Sequence, residues 1–194
     1  WDEIFCRVLS EKQDPSITVE QTAAMAAVSE NAFTRDLNPA ELIRSVGMLE
    51  RFMDYNTMAQ NSEAIFNLKM NSGYLKTLGQ LYKLPQEIFD LLDAGQLSIK
   101  VGKALTKMRN PEIHAFLLLF SKINVSSGKQ MEIITWAREI CAREHLDFST
   151  LVQDIDADLA LEDVDLPAGK PGHKDMSARG NRVRAYLLQR RFPA

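Results

Sequence analysis

The sequence predicts a mainly α-helical protein: a helical bundle that contains a helix-turn-helix and has at most a short N-terminal strand. Apolar residues recur at spacings of three and four through much of the chain, which is the period of an amphipathic helix. Residues that commonly begin and end helices separate these segments. Hydrophobic residues make up 45% of the 194 residues, so the chain is long and apolar enough to bury a core.

The strand signal is confined to residues 4–9, IFCRVL, a β-branched and aromatic run that is followed by the turn-forming EKQDPS. Beyond it, strand signals almost vanish. Thr18 is a candidate N-cap for an alanine-rich helix of about ten residues that starts near Val19.

A clearer helix begins at Pro39. Asn38 can cap it, and Glu41 lies three residues after the cap, where its carboxylate can reach back to the free amide of Asn38. The apolar residues of this helix fall on one face: Leu42, Val46, Leu49, Phe52 and Met53.

The next segment has the outline of a helix-turn-helix. SEAIFNL predicts a short helix with Ser62 as its cap, and KMN predicts a tight turn. Asn71 then caps a second helix from Ser72 to about Lys83. Two helices separated by three or four residues are typical of the motif.

The second helix is predicted to bury one face and to expose a face rich in hydrogen-bond donors. The buried stripe comprises Tyr74, Leu75, Leu78, Leu81 and Tyr82. The other face comprises Ser72, Gly73, Lys76, Thr77, Gln80 and Lys83. These side chains can donate to phosphates and base edges, and no carboxylate accompanies them. The alternative is a solvated helix that only closes the core.

Charge is unevenly distributed, although the net charge is only −3. Residues 1–68 sum to −6, whereas residues 69–109 sum to +4. Residues 147–165 sum to −7, and residues 166–194 sum to +6. The first positive block starts at the predicted second helix of the motif and extends past it, which favours a local attraction for phosphate groups.

Helices are predicted to continue beyond the motif. Gly95 ends one helix and Ser98 caps the next, which carries Lys100 and Lys103. An acidic segment and a linker at residues 166–175 precede a basic C-terminal helix. That helix can dock on the body, pair with another chain or contact phosphates.

The composition excludes several classes of function. The longest apolar run, residues 115–120, is far shorter than a membrane span requires. Cys6 and Cys141 lack the number and spacing of a disulfide framework or zinc site, so we expect small core residues in a reducing cytoplasm.

No catalytic or metal-binding pattern is present. His114, His145 and His173 lie on separate segments. The aspartates at residues 154, 156 and 158 lack the glycine and distal glutamate of a calcium loop. We therefore predict no catalytic residue and no metal site.

Several segments together resemble the ParB family of partition proteins. They are VEQTAAMAAVSEN, RDLNPAEL, the helix-turn-helix outline and YKLPQEIFDLLDAGQLSIKVGKAL. Their order and spacing match the family pattern over residues 19–108, and WDEIFCRVL resembles the strand that precedes them in the family. The individual matches include Glu30, Asn31, Leu37 to Pro39, Leu84, Pro85, Glu87, Gly95, Leu97 and Ser98.

The resemblance implies a cytoplasmic, nucleoid- or plasmid-associated protein that binds a DNA site as a homodimer and spreads or clamps on neighbouring DNA. Such proteins serve plasmid or chromosome partition or local transcriptional silencing, and a ParA-type ATPase is an implied partner. Members commonly bind and hydrolyse CTP, with magnesium, through an arginine-rich Gly-Glu-Arg-Arg box and a Glu-Asn-x-x-Arg box.

The chain departs from that pattern in three places. The first CTP box is absent, and we expect the natural protein to extend upstream. In the second box Thr34 replaces the arginine, and Arg35 is displaced by one residue. This departure weakens the expectation of nucleotide binding and leaves two roles open for Glu30 and Asn31: to bind nucleotide, or only to cap and orient the next helix. In the turn, Lys69 stands where glycine would ease a left-handed backbone, and Ile65 stands where a small residue is usual.

The predicted organisation is a remnant of a nucleotide-binding domain (1–37), a helix-turn-helix domain (38–146), an acidic segment with a linker (147–175) and a basic helix (176–194). The predicted DNA-binding residues are Lys69, Asn71, Ser72, Gly73, Lys76, Thr77, Gln80, Lys83, Lys100 and Lys103. The predicted nucleotide-binding residues are Glu30, Asn31 and Arg35.

The leading hypothesis is a sequence-specific DNA-binding protein that places helix 72–83 in a major groove. One alternative is a ParB-like adaptor that has lost its operator and holds protein partners through its helical faces and acidic segment. The other is a CTP-binding or CTP-hydrolysing clamp whose upstream half is absent here.

Overall fold

The structure, a computed structural model, describes residues 18–163 and 173–192, and the side chains of residues 18–160 and 176–192. Every regular element within these residues is a helix, so the predicted mainly α fold class is confirmed. The helices are α1 (Val19–Thr34), α2 (Pro39–Leu49), α3 (Tyr55–Gln60), α4 (Ser62–Phe66), α5 (Ser72–Tyr82), α6 (Glu87–Asp93), α7 (Ile99–Leu105), α8 (Asn110–Lys122), α9 (Ser127–Glu144), α10 (Phe148–Asp163) and α11 (His173–Arg191). The strand predicted at residues 4–9 and the linker as far as residue 172 lie outside the described residues.

All of the predicted caps except Ser62 are confirmed. The Thr18 hydroxyl accepts from the Gln21 amide at 3.1 Å, and the Ser98 hydroxyl accepts from the Val101 amide at 3.4 Å. Asn38 and Glu41 form the complete capping box of α2. Gly95, which follows the end of α6, has a φ of +66°, a left-handed conformation that glycine adopts without strain.

The region between α2 and α4 differs from the prediction. Helix α2 ends at Leu49, and residues 50–53 turn instead of continuing it. Helix α3 was not predicted; Asp54 caps it by accepting from the amides of Asn56 and Thr57, both at 2.8 Å. The cap begins a helix of only six residues, too short for apolar periodicity to reveal it.

One hydrophobic cluster runs through the body, and every helix in the described residues contributes at least one buried side chain to it. Helix α5 packs against α2, α3 and α7, while α8 packs against α6 and α10. Helix α1 packs against α4 and α2. None of the helices in this part of the chain is both long and apolar enough to cross a membrane.

The basic C-terminal helix docks on the body. Helix α11 packs along α9 and α10 and buries Val183 and Leu187. Its arginines pair with acidic residues of those helices: Arg184 with Glu132, Arg190 with Glu144 and Asp154, and Arg191 with Glu139. At least three of the seven basic residues of the last block are therefore neutralised within the molecule.

Candidate nucleic-acid interface

Helix α5 is fixed at its start by two polar contacts. The Asn71 side chain caps it, accepting from the Tyr74 amide at 2.8 Å, as predicted. The buried Ser62 hydroxyl accepts from the Met70 amide at 3.0 Å. Ser62 was predicted to cap α4, but its hydroxyl instead ties α4 to the residue before the cap of α5.

Two glycines allow close contacts between helices: Gly79 allows α3 to contact the backbone of α5, and Gly47 allows α5 to contact the backbone of α2. A Cβ atom at Gly79 of α5 would overlap the Tyr55 hydroxyl of α3. A Cβ atom at Gly47 of α2 would overlap the Tyr82 ring of α5. With Leu75, Leu78 and Leu81 fully buried, these approaches hold α5 rigidly in the body.

The remaining side of α5 is open. Gly73, Lys76, Gln80 and Lys83 are exposed, and Ser72 is half-buried. No residue of α5 is acidic. We call these five residues the α5 face; it presents hydrogen-bond donors on a firmly packed helix.

Thr77 does not belong to this face, so its predicted outward position is wrong. It is only 7% exposed, and its hydroxyl donates to the Gly73 carbonyl at 3.0 Å within the helix. Because the Thr77 hydroxyl has this partner within the helix, the side chain can be buried. The exposed side of α5 is therefore narrower than predicted.

The two tyrosines of α5 are more exposed than predicted. Tyr74 is 37% exposed and Tyr82 is 43% exposed, although both were assigned to the buried stripe. One part of the Tyr82 ring packs over Gly47, and the rest of the ring is exposed to solvent. Partial burial raises the pKa of Tyr74, so its hydroxyl stays a neutral donor. The sequence interpretation missed these hydroxyl groups, and their only signal was an aromatic residue at each edge of the apolar stripe.

Four predicted lysines, Lys69, Lys76, Lys100 and Lys103, are exposed and make no ion pair within the described residues. Lys83 differs, because its ammonium lies 3.0 Å from a carboxylate oxygen of Glu50. Burial alone would raise the pKa of Glu50, but hydrogen bonds from Lys83 and Tyr55 lower it. Lys83 therefore has an internal partner that competes with phosphate.

Helix α7 places more positive charge beside α5. A Cβ atom at Gly102 would lie 2.9 Å from Leu81 Cδ2, so the α7 backbone rests on a buried leucine of α5. Lys100 and Lys103 are three residues apart on this adjacent helix, and both are exposed.

The turn between α4 and α5 is not built as predicted. Its left-handed residue is Asn67, with a φ of 54°, rather than Lys69. Asparagine tolerates this conformation better than most residues. Ile65, which stands where a small residue is usual, is buried in the core, and the close approach at a glycine is between α5 and α3, at Gly79.

Two of the three predicted nucleotide-binding residues, Asn31 and Arg35, are engaged in hydrogen bonds within the chain. Both terminal guanidinium nitrogens of Arg35 donate to the Glu41 carboxylate, at 2.6 and 2.7 Å. These bonds, with that from the Asn38 amide, lower the pKa of Glu41 to about 2. The Asn31 side chain donates to the Ala27 carbonyl of its own helix at 2.9 Å, and Glu30 is exposed. In the described part of the chain, no three His, Cys, Asp or Glu side chains are grouped closely enough to hold a metal ion.

Comparisons with protein-family models, curated proteins and solved structures found no match to this chain.

Proposed function

We propose that this protein is a sequence-specific DNA-binding protein of the ParB type, in which α4, the turn and α5 act as a helix-turn-helix and α5 enters a major groove. The observation that carries the proposal is the α5 face: an exposed, donor-bearing side of a helix that has no acidic residue of its own and that packs on the body through Leu75, Leu78 and Leu81. A recognition helix has this environment, since it must contact base edges while the body holds its orientation.

The face is suited to contacts with bases. Lys76 offers an ammonium group that can donate to guanine O6 and N7, and Gln80 offers an amide that can pair bidentately with adenine. Gly73 and Ser72 lie at the N-terminal end of α5, which is the end that approaches bases in helix-turn-helix proteins.

Phosphate contacts are assigned to lysines around this face. Lys69 precedes α5, and Lys100 and Lys103 lie on the adjacent α7. Their lack of internal ion pairs among the described residues leaves their charge available to a phosphate backbone. Each phosphate so neutralised makes binding more sensitive to salt.

The ParB resemblance extends the proposal to biological role. A homodimer would read two half-sites about one helical turn apart. Partition of a plasmid or chromosome, or local silencing, would follow from spreading around such a site, with a ParA-type ATPase as partner. Nucleotide binding by this chain receives no support from the geometry, because Arg35 is held by Glu41.

Selection of bound sequences from a random duplex DNA pool, with and without CTP, tests the proposal. We expect a discrete motif, bound more tightly than its scrambled version by a factor of about a thousand or more at moderate salt. Enrichment of no motif, together with equal binding of both duplexes, would refute sequence-specific recognition. A motif that appears only with CTP would place nucleotide binding back in this chain.

A further inference from the structure

Helix α8 presents an exposed ridge between two grooves. Pro111, His114, Leu118 and Ser121 recur at spacings of three and four, so they lie along one side of the helix. The groove between α8 and α6 has a volume of about 480 Å³, and that between α8 and α10 about 290 Å³. His114 and Leu118 line both grooves, and Leu118 is 50% exposed.

The larger groove is long enough for about two turns of a docked helix. On α8 it extends from His114 to Ser121, roughly 10 Å or two helical turns at the usual rise per residue. Leu91 of α6 and Leu117 of α8 form apolar parts of its wall. A groove of this length accommodates the apolar residues that an amphipathic helix places on one side over two turns.

Charge determines which helix fits. Glu87 and Asp90 of α6 line the larger groove, are exposed, and make no ion pair within the described residues. The residues that line the two grooves include no lysine or arginine. Asp156 in the smaller groove is already neutralised by Lys122 at 2.6 Å. The unpaired negative charge therefore belongs to the α6–α8 groove.

We propose that the α6–α8 groove docks a basic amphipathic helix of a partner protein. An apolar side chain of that helix packs beside Leu118, and its lysine or arginine side chains pair with Glu87 and Asp90. Apolar burial supplies most of the affinity, while the carboxylates orient the partner and exclude acidic helices. The proposal does not depend on DNA binding, because α5 and its lysines take no part in it.

A phage-displayed library of random peptides, depleted on an unrelated protein and then panned on the full chain, provides the probe. We expect enriched peptides that combine leucine-like residues at helical spacing with several lysines or arginines. In fluorescence anisotropy such a peptide should bind Leu118→Lys roughly tenfold or more weakly, and a Glu87→Lys, Asp90→Lys double variant several-fold more weakly.

Leu188→Lys is the matched control, since Leu188 is 45% exposed and lies on α11. It should bind the peptide as the wild type does. No enriched peptide, enrichment of acidic peptides, or equal binding to Leu118→Lys and Leu188→Lys would overturn the proposal. Self-association of the wild type that Leu118→Lys abolishes would also overturn it, by making a second copy the occupant. If Leu118→Lys melts early, the double charge variant decides alone.

Discussion

Thr77 and Gln80 lie three residues apart on α5 but have opposite surroundings. The Thr77 hydroxyl is buried and donates to a carbonyl of its own helix, whereas the Gln80 amide is exposed on the α5 face. A residue can discriminate between bases only if its polar group reaches solvent. Recognition should therefore depend on Gln80 and not on Thr77.

Gln80→Ala should reduce the binding free-energy preference for one base at one position of the selected DNA motif by about 1–3 kcal/mol, the usual contribution of a bidentate base contact. Thr77→Val should leave every base preference unchanged, because it removes only an internal hydrogen bond. Competition binding against singly mutated duplexes measures both effects. An altered preference with Thr77→Val alone would show that α5 presents a different side to DNA.

Gly79 lets α3 approach α5 so closely that a side chain there has no room. Gly79→Ala should lower the free energy of unfolding by about 1–3 kcal/mol, because the added methyl overlaps the Tyr55 hydroxyl. Adding Tyr55→Phe should recover part of the loss. Gly128→Ala is the control, since nothing lies within 4 Å of a Cβ atom in that helix, and it should be neutral or stabilising. Urea denaturation compares the four proteins; an equal loss at both glycines would contradict the close approach.

At the scale of helices, much of the fold could be predicted because helix ends depend on residues only three positions apart. Thr18, Asn38 and Asn71 all cap as expected. Most of the exposed residues of α5 were predicted, but the burial of Thr77 and the partial exposure of Tyr74 and Tyr82 were not. The surroundings of Tyr82 depend on Gly47 of α2, which is distant in sequence. Docking of α11 on the body was one of three alternatives that the sequence left open, and the sequence could not select it because Arg184 and Arg191 pair with acids roughly fifty residues away.

The capping box of α2 should give stability a specific dependence on pH. The folded-state pKa of Glu41, about 2, lies below the ordinary value of 4.5. A lowered pKa stabilises the fold fully above pH 4.5, and the contribution is lost as the pH falls towards 2. Glu41→Gln should therefore cost up to about 1 kcal/mol at neutral pH and progressively less in acid.

Urea denaturation from neutral pH down to the acid limit of folding compares the wild type with Glu41→Gln. Glu63→Gln is the control, because Glu63 is exposed and makes no ion pair within the described residues. If the difference in free energy of unfolding between the wild type and Glu41→Gln stays constant as the pH falls, the role of the Arg35–Glu41 pair is contradicted.

Arg190 joins α11 to two other helices, with its guanidinium 2.8 Å from both Glu144 and Asp154. Arg190→Ala should lower the free energy of unfolding by about 1–3 kcal/mol, because α9 and α10 both lose an ion pair that joins them to α11. Arg138→Ala, at an exposed arginine without an ion pair among the described residues, should change it by about 0.5 kcal/mol or less. Thermal unfolding measures both losses of stability. An equal loss in Arg190→Ala and Arg138→Ala would contradict the role of Arg190 in joining α11 to α9 and α10.

At the scale of the whole molecule, positive charge is available in one region and neutralised in another. Three arginines of α11, at positions 184, 190 and 191, are paired with acids of α9 and α10, while Lys69, Lys76, Lys100 and Lys103 have no such partners in the described part of the chain. A protein with a net charge of −3 can therefore attract DNA locally without behaving as a polycation.

Binding of DNA by the α5 face is best tested by fluorescence anisotropy of the selected duplex with the Lys76→Glu variant. Arg138→Glu is the matched control, since it reverses one exposed charge on α9 and changes the net charge by the same amount. We expect Lys76→Glu to abolish binding at moderate salt and Arg138→Glu to bind within about threefold of the wild type. Unchanged binding by Lys76→Glu, or an equal loss in both variants, would contradict recognition through α5.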